Sequence, residues 1–463
     1  MLNIKEQYEI EITDLSTKGE GIGRVEGIAV FVPATIPGDL ALIEITDVKK
    51  NYGKGKVINI LSPSNYRVES TCSYESCGGC SLQNMSYEGQ LWLKKKWVID
   101  RLTRIGGIDN PFVHDVIPME EPFRYRNKAE YALGRISGKA KKERGCDIGF
   151  YQAGTTRVVN INSCLLQTEV ADRIADVIRR YVKESKTPIY GPKSKTGVLR
   201  HVVVKTAFNT GEIMVILVAT EKSLQNIEWL VDEICIELED CKDFQLESVI
   251  LNVNKSKTGK TLGDINITLA GNPTIKDHLM GLDFEISPTS FYQVNPIQTV
   301  KLYEKVKEYA SLNDKETVLD VYCGVGTIGL ILADKAKKVL GIESVKNAFL
   351  DANRNATING IVNAEYINGK AEEELPKLVK KGLKADLIIL DPPRSGCEPE
   401  LLEAVAMTNA PKIIYVSCDP ATLARDIKLL TDKGYKYIEA QPVDMFPHTS
   451  HVECVTLMSR VKE

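Results

Sequence analysis

Long apolar segments are missing from this sequence. No stretch is long enough to cross a bilayer, and no apolar run at the start resembles a secretory signal. We therefore expect a cytoplasmic protein with no membrane partner. Internal repeats and low-complexity segments are also absent, which excludes a repeat architecture.

An excess of charge of one sign is missing too. The formal net charge is −3 at pH 7, which argues against indiscriminate binding to nucleic acid. Local basic patches can still bind RNA.

The composition is that of a soluble globular protein. The 463 residues are 43% hydrophobic and 26% charged, enough for two to four domains that each bury a core. The eleven cysteines should stay reduced in the cytoplasm, so clusters among them indicate metal binding or catalysis rather than disulfides.

Five short β-like runs occupy the first 60 residues. They are Tyr8 to Ile12, Gly21 to Val25, Ile28 to Val32, Leu40 to Val48 and Lys56 to Ile60. Short strands at this spacing indicate a small closed barrel of the OB type, which commonly binds single-stranded nucleic acid. The segment GEGIGRVEGIAVFVPATIPGD resembles the TRAM domain of RNA-modifying enzymes, so we expect this barrel to contact RNA.

Three cysteines lie close together at Cys72, Cys77 and Cys80. They could ligate one metal centre if the fold supplied a fourth thiol, from either Cys146 or Cys164. We choose Cys164, because it directly follows a strand-like run and would be held rigidly. A four-cysteine zinc site and an iron–sulfur cluster both fit the spacing.

The stretch PFRYRNKAEYALGR lies between these cysteines. On a strand, Arg124, Arg126 and Lys128 would share one face, where they could hold phosphates while nearby tyrosines stack bases. A solvated sheet face is the alternative.

Strand and helix patterns alternate after Asn295, as in a doubly wound α/β domain. Thr317 to Val321 reads as a strand, followed by a glycine-rich turn in which Gly324 and Gly326 let the backbone approach a ligand. A second strand ends at Glu343, where a carboxylate can bind ribose hydroxyls.

Two features favour S-adenosylmethionine over a dinucleotide. The turn Asp320-Val-Tyr-Cys-Gly-Val-Gly-Thr327 has its acid before the glycines and lacks a third glycine at dinucleotide spacing. A further strand ends in Asp391-Pro-Pro-Arg394, which is typical of methyltransferases that act on nucleobases. A plain tight turn is the alternative for this second stretch.

A candidate nucleophile follows the strand-like run Ile413 to Val416. Cys418 lies between this strand and a helix that begins with Asp419 as N-cap and Pro420 as its first residue. The helix dipole should favour the thiolate there. A late strand from Val452 to Leu457 should bring Glu453 to the same sheet edge, as an acid/base partner.

Together, VSCDPATLARD, HVECV, DPPRSG, DVYCGVGTIGL and FYQVN resemble the RNA uracil-C5 methyltransferase family over essentially the whole chain. The resemblance implies a Rossmann-like, S-adenosylmethionine-dependent catalytic domain at 286–463. It also implies a TRAM barrel at 1–60 and a central α+β domain at 61–285 that carries a [4Fe-4S] cluster and binds RNA.

The resemblance also implies roles for individual residues. Cys418 is the nucleophile, Glu453 is the base, and the cluster ligands are Cys72, Cys77, Cys80 and Cys164. The cofactor contacts are Gln293, Tyr322, Gly324, Gly326, Thr327, Glu343 and Asp391. Thr327 and Lys370 stand where relatives often have Asn. The expected product is 5-methyluridine, in 23S ribosomal RNA rather than transfer RNA, made by a monomer.

Two other functions are compatible with parts of the sequence. A cytosine-C5 RNA methyltransferase would also use a cysteine, but it would need a second one just after the prolines, where Cys397 is the only candidate. An iron–sulfur protein that binds RNA or senses redox state, with a vestigial cofactor fold, would not need both Cys418 and Glu453.

Overall fold

The computed structural model describes residues 2–16, 18–136, 145–257 and 259–461. The outermost residues of the predicted first and last domains, and most of the basic stretch before Cys146, lie outside these residues. Within them, the strands form a barrel, two large sheets and one hairpin. None of the described helices is long and apolar enough to span a bilayer.

The first five strands form the predicted closed barrel, in the order β1-β2-β3-β5-β4. They are β1 (Gln7–Leu15), β2 (Gly21–Val25), β3 (Ile28–Val32), β4 (Leu40–Val48) and β5 (Tyr52–Ser62). Alternating apolar residues such as Ile10, Ile12, Val30 and Ile43 point into its core. β2, β3 and β4 have the predicted bounds, whereas β1 and β5 are longer.

The central sheet contains seven strands over the described residues, in the order β12-β11-β10-β9-β6-β7-β8. Its strands are β6 (Lys128–Arg135), β7 (Cys146–Tyr151), β8 (Val158–Asn160), β9 (Leu199–Thr206), β10 (Glu212–Ala219), β11 (Gln245–Val253) and β12 (Ile265–Gly271). Helices α2 (Glu169–Ser185) and α3 (Ile227–Leu238) cover one face. The hairpin of β13 (Ile275–Leu279) and β14 (Leu282–Ile286) packs on the other face.

The C-terminal sheet is doubly wound, as predicted, in the order β17-β16-β15-β18-β19-β21-β20. Its strands are β15 (Thr317–Val321), β16 (Lys338–Glu343), β17 (Ala364–Asn368), β18 (Leu387–Leu390), β19 (Lys412–Ser417), β20 (Tyr435–Val443) and β21 (Glu453–Arg460). β15 to β19 pair in parallel, and β21 adds antiparallel to β19. The chain reverses its winding between β15 and β18, which is where such sheets bind ligands.

Helices cover both faces of this sheet. One core contains α4 (Pro296–Ala310), α5 (Thr327–Leu332) and α6 (Lys346–Ile358). The other contains α7 (Ala371–Lys380), α8 (Pro399–Met407) and α9 (Pro420–Thr431). The strands between them are therefore buried on both sides, which explains their nearly continuous apolar sequences.

Helix α1 (Tyr87–Arg104) packs on the C-terminal sheet although it precedes the central sheet in the chain. Its residues Val98 and Leu102 share a core with Leu423 and Ile427 of α9. The following segment runs alongside β20, with the N–H of Ile117 donating to the carbonyl of Pro442 at 3.0 Å. The division at 1–60, 61–285 and 286–463 stays a prediction, and residues 87–117 contact the last of these three.

Candidate active site

Cys418 lies directly after the end of β19, at the N-terminus of α9. Asp419 caps this helix, its Oδ1 accepting hydrogen bonds from the N–H groups of Ala421 at 2.8 Å and Thr422 at 3.2 Å. Pro420 is the first helical residue, where the missing N–H costs nothing. The predicted strand, cap and helix are thus confirmed.

Strand pairing places Glu453 beside Cys418. In the antiparallel register of β19 and β21, Ser417 pairs with Cys454. Cys418, which follows Ser417, and Glu453, which precedes Cys454, are therefore neighbours at the same sheet edge. Glu453 is only 3% exposed, whereas Cys418 is half-buried and borders a cavity.

The environment of Cys418 disfavours the thiolate in the free protein. Burial raises the pKa of the thiol to about 12, the carboxyl groups of Glu453 and Asp391 act in the same direction, and Arg394 opposes them. The net shift of the thiol pKa is therefore opposite to the one expected from the helix dipole, because burial and the two acids favour the neutral thiol.

The two acids are themselves perturbed. Burial raises the pKa of Asp391 to about 7. Burial, followed by the nearby Asp391, also raises the pKa of Glu453 well above its usual value, while Arg394 lowers it. Two carboxyl groups in one dry site resist ionising together, so either can hold a proton near neutral pH.

The glycine-rich turn follows β15, and its two glycines do different things. Gly324 borders the cavity, has φ +58°, and has no described atom within 4 Å of where a Cβ would lie. Gly326 is outside the cavity wall, and a Cβ there would approach the hydroxyl of Tyr366 to 2.7 Å. Gly326 is therefore required for packing, and its predicted contact with a cofactor is not supported by this position.

Glu343 is held against the turn at the end of β16. Its Oε2 accepts a hydrogen bond from the N–H of Gly324 at 2.9 Å, and its Oε1 accepts one from the N–H of Val345 at 2.6 Å. These bonds orient the carboxylate and leave lone pairs on both oxygens for a ligand.

One cavity of about 960 Å³ joins these groups. Its wall contains Cys418, Glu453 and six of the seven predicted cofactor residues: Gln293, Tyr322, Gly324, Thr327, Glu343 and Asp391. Thr327 Oγ1 lies 3.0 Å from the hydroxyl of the buried Tyr303. Lys370 does not line the cavity, and 64% of its side chain is exposed. Cys397 is also outside the wall, buried with its Sγ 3.6 Å from the hydroxyl of Tyr415.

The four predicted ligand cysteines line the same cavity: Cys72, Cys77, Cys80 and Cys164. The sulfur of Cys77 accepts a hydrogen bond from the N–H of Gly79 at 3.4 Å, and that of Cys80 accepts one from Nε2 of Gln83 at 3.4 Å. The rival ligand Cys146 is buried in the apolar core of the central sheet. Among the described residues, no three His, Cys, Asp or Glu side chains are placed to hold a single metal ion.

The basic stretch before β6 differs from its predicted strand. Arg124 has φ +53° and turns inward, donating from Nη1 to the carbonyl of Cys164 at 2.6 Å and to Asp172 Oδ2 at 2.8 Å. It therefore holds the Cys164 loop in place. Only Arg126 and Lys128 reach the cavity.

Three further residues of the cavity wall were not assigned a role from the sequence. Arg394 lies within 3.3 Å of Nε2 of His451, and Phe291 is 62% exposed at the cavity wall. Arg394 directly follows the two prolines, and its place in the Asp391-Pro-Pro-Arg394 strand end could have singled it out as a cation beside Asp391. Phe291 precedes Gln293 in the FYQVN segment and carried no separate signal.

The doubly wound sheet and its glycine-rich turn are typical of a cofactor-binding enzyme domain, and the N-terminal barrel is typical of nucleic-acid binding. Residues 274–461 match the family described as tRNA (Uracil-5-)-methyltransferase, and residues 3–58 match the TRAM domain. The chain belongs to the tRNA (uracil-5-)-methyltransferase family.

Relatives and a solved structure cover nearly the whole chain. An uncharacterized RNA methyltransferase of Caldanaerobacter subterraneus is 46% identical over 99% of both chains. One of Clostridium tetani is 46% identical over 98% of this chain and 96% of its own. The crystal structure of Pyrococcus abyssi tRNA (uracil-54, C5)-methyltransferase in complex with S-adenosyl-L-homocysteine is 31% identical, with a TM-score of 0.75 over 97% of this chain and 100% of that chain.

The charge beside Cys418 predicts a measurable pH effect. Glu453→Gln removes a carboxylate that raises the thiol pKa, so iodoacetamide should alkylate Cys418 faster at pH 8, by about 3- to 10-fold. Arg394→Gln should slow it. Peptide mass spectrometry would follow Cys418 alone, and the buried Cys397, whose pKa neither Glu453 nor Arg394 shifts, is the internal control. Unchanged alkylation in both variants would contradict this account of the site.

Proposed function

We propose that this protein transfers a methyl group from S-adenosylmethionine to C5 of a uridine in RNA, through a covalent bond between Cys418 and uracil C6. The observation that carries the proposal is the placement of Cys418 and Glu453 side by side in a cavity that also reaches the glycine-rich turn. The solved relative supports the cofactor, because it was crystallised with S-adenosyl-L-homocysteine.

The first step activates the base. Uracil C5 is too weak a nucleophile to accept a methyl group unaided, so the Cys418 sulfur adds to C6 and the ring becomes an enolate. Because the thiol has a raised pKa, its proton leaves during the attack, and the neighbouring Glu453 carboxylate is the acceptor. Glu453 then releases this proton to water, so that it is ionised again for the last step. Arg394, the cation that lowers the pKa of both Cys418 and Glu453, stabilises the negative charge that develops there.

In the second step, C5 attacks the methyl group in line, and the sulfonium leaves as a neutral thioether. Gln293, Tyr322, Gly324, Thr327, Glu343 and Asp391 are the proposed contacts to S-adenosylmethionine. Glu343 suits the ribose hydroxyls, because the N–H of Gly324 orients its carboxylate. Its position at the end of β16 is also where such sheets bind ribose.

In the last step, Glu453 removes the proton from C5, and elimination expels the Cys418 thiolate. Burial that raises the pKa of Glu453 makes its ionised form a stronger base. The same burial keeps water from competing for the proton. The target base must leave its stack to reach both groups, so it lies in a loop or an opened helix.

Trapping the covalent intermediate tests this mechanism. Glu453→Gln should stall as a protein–RNA adduct that withstands denaturing electrophoresis, and turnover should fall by about 100- to 10,000-fold. Cys418→Ala should form no adduct and no product. An active Cys418→Ala enzyme would refute the assignment of the nucleophile. Adducts with RNA containing 5-fluorocytosine, but not 5-fluorouracil, would instead indicate a cytosine enzyme.

We also propose that Cys72, Cys77, Cys80 and Cys164 hold a [4Fe-4S] cluster. The support is that all four thiols face one cavity and two of the sulfurs accept N–H hydrogen bonds, as cluster ligands commonly do. The ligands of a cluster surround several iron atoms and lie further apart than the ligands of a single ion. Thiols that are not placed to hold one ion can therefore still hold a cluster. Its role here would be to hold the loop around Cys77 and position RNA.

Metal analysis distinguishes the ligand sets. Protein purified without oxygen should contain iron and acid-labile sulfide in equal amounts, and Cys164→Ser should lose both. Cys146→Ser is the matched control and should retain them, because Cys146 lies in the core of the central sheet. Zinc without sulfide, or loss of iron only in Cys146→Ser, would overturn the proposal.

We favour 23S ribosomal RNA as the substrate, because a TRAM barrel and a four-cysteine set occur together in this chain. Transfer RNA is the second candidate, since the solved relative modifies uracil-54 of transfer RNA.

Mapping 5-methyluridine in total RNA from a strain without the gene decides between them. Loss of the modification from 23S ribosomal RNA, restored by the wild-type gene but not by Cys418→Ala, is the expected result. Loss confined to transfer RNA would contradict the proposed substrate.

A further inference from the structure

A second pocket lies on the central sheet, and it combines cationic with aromatic side chains. Its volume is about 160 Å³, and its wall includes Tyr151, Tyr190, Lys195, Arg200, His201 and Lys257. This is the space of roughly five water molecules. It suits one planar base or one phosphate and is too small for a molecule the size of S-adenosylmethionine.

Arg200 is a fixed cation at this pocket. The residue is only 8% exposed, and its Nη1 donates to the carbonyls of Asn254 and Ser256, each at 2.8 Å. The guanidinium lies 4.6 Å from the ring centre of Tyr190. Its buried Nε has no hydrogen-bond partner within the described residues. A buried donor left unpaired is costly unless a ligand satisfies it.

His201 and Tyr151 also line the pocket. The hydroxyl of Tyr151 lies 3.2 Å from Nε2 of His201, which orients a ring that is 39% exposed. Burial and the neighbouring Arg200 lower the pKa of His201 to about 4, so the imidazole is neutral at physiological pH. Its Nδ1 is also unpaired in the described part of the chain. A neutral imidazole can bond to the edge of a base, and an exposed tyrosine ring can stack on one.

Two exposed lysines at the mouth add positive charge. Lys195 lies in the turn between α2 and β9, and Lys257 lies in the loop between β11 and β12. Arg135 holds the first turn by donating from Nη2 to the carbonyl of Thr196 at 2.7 Å. No acidic partner of Lys195 or Lys257 occurs among the residues that the structure describes.

The second pocket lies about four strand residues from the catalytic cavity on the central sheet. Lys128 and Glu130 line that cavity, and Ala132, two residues further along β6, pairs with His201 of β9. Paired residues and alternate residues share a face, so these side chains form one track. Four residues of strand, from Lys128 to Ala132, span about 13 Å. A single strand whose target base enters the catalytic cavity would reach the second pocket within a few nucleotides.

We propose that this pocket binds an unpaired nucleotide of the RNA substrate, a few positions from the target uridine. The base stacks on Tyr151 beside His201 and Arg200, and the backbone phosphates contact Lys195 and Lys257. This inference rests on the proposed function in that the ligand is substrate RNA. The pairing of fixed cations with an accessible aromatic ring favours nucleic acid over a protein partner.

Salt-dependent binding of RNA to the full chain tests the charged part of the pocket. Lys195→Gln/Lys257→Gln should weaken binding of a labelled single-stranded RNA of about 20 nucleotides by about 10-fold. The slope of log Kd against log salt should fall by about 1.4, because each phosphate that a lysine no longer neutralises lowers it by about 0.7. Lys381→Gln/Lys384→Gln is the matched control, because these exposed lysines precede β18 at the sheet edge opposite the cavity. An equal effect in both pairs would overturn the proposal.

Substitution of Tyr151 tests stacking. Tyr151→Ala should weaken binding of the same RNA by about 5- to 150-fold, whereas Tyr151→Phe, which keeps the ring, should bind like wild type. A dinucleotide should bind all variants equally, since it is too short to occupy both pockets. Weakened binding of that fragment, or competition by inorganic phosphate alone without any dependence on RNA length, would refute an RNA subsite.

These measurements need no methyl transfer, so the two proposals can fail separately. The lysine and Tyr151 variants should still form the Cys418 adduct when RNA is in excess. Absence of a Cys418 adduct would refute the proposed chemistry, and an unchanged salt slope would refute the pocket.

Discussion

The antiparallel pairing of β19 with β21 is the constraint on which the site depends. It aligns Ser417 with Cys454 and so makes Cys418 and Glu453 neighbours, although residues 419–452 lie between them in the sequence. A shift of one residue in this register would turn Glu453 to the other face of the sheet. The apolar side chains of β21 oppose such a shift, because both faces of the strand are buried between helices.

The same burial determines the chemistry. Burial raises the pKa of Asp320 to about 8 and that of Asp391 to about 7, and it raises the pKa of Glu453 well above its usual value. Because burial disfavours the ionised form of these acids, a positive charge nearby stabilises them strongly. Arg394 supplies one such charge, and the sulfonium of S-adenosylmethionine would supply another. The cavity therefore favours a reaction that begins with a cationic methyl donor and releases a neutral product.

Local sequence patterns failed where a side chain is needed by a distant part of the chain. Arg124 alternates with Arg126 and Lys128 as an exposed strand would, yet it turns inward to hold the loop of Cys164. Gly326 fits a ligand-binding turn, and a Cβ there would also meet the hydroxyl of Tyr366 on β17, a contact that the turn pattern does not report. Helix α1 precedes the central sheet in the chain but packs on α9. These contacts join segments far apart in sequence, so no local periodicity reports them.

The sequence by itself determined the barrel, the alternation of β15 to β19 with helices, and the cap of α9, because strand periodicity, N-cap residues and N1 proline act through nearest neighbours. The family resemblance predicted seven cofactor residues, and six of them line the cavity. Only the tertiary structure decided the protonation of Cys418, the neighbours of Arg394 and the second pocket around Arg200. Burial and the distance between charges depend on how the sheets pack, and those quantities control pKa values and the shape of a binding site.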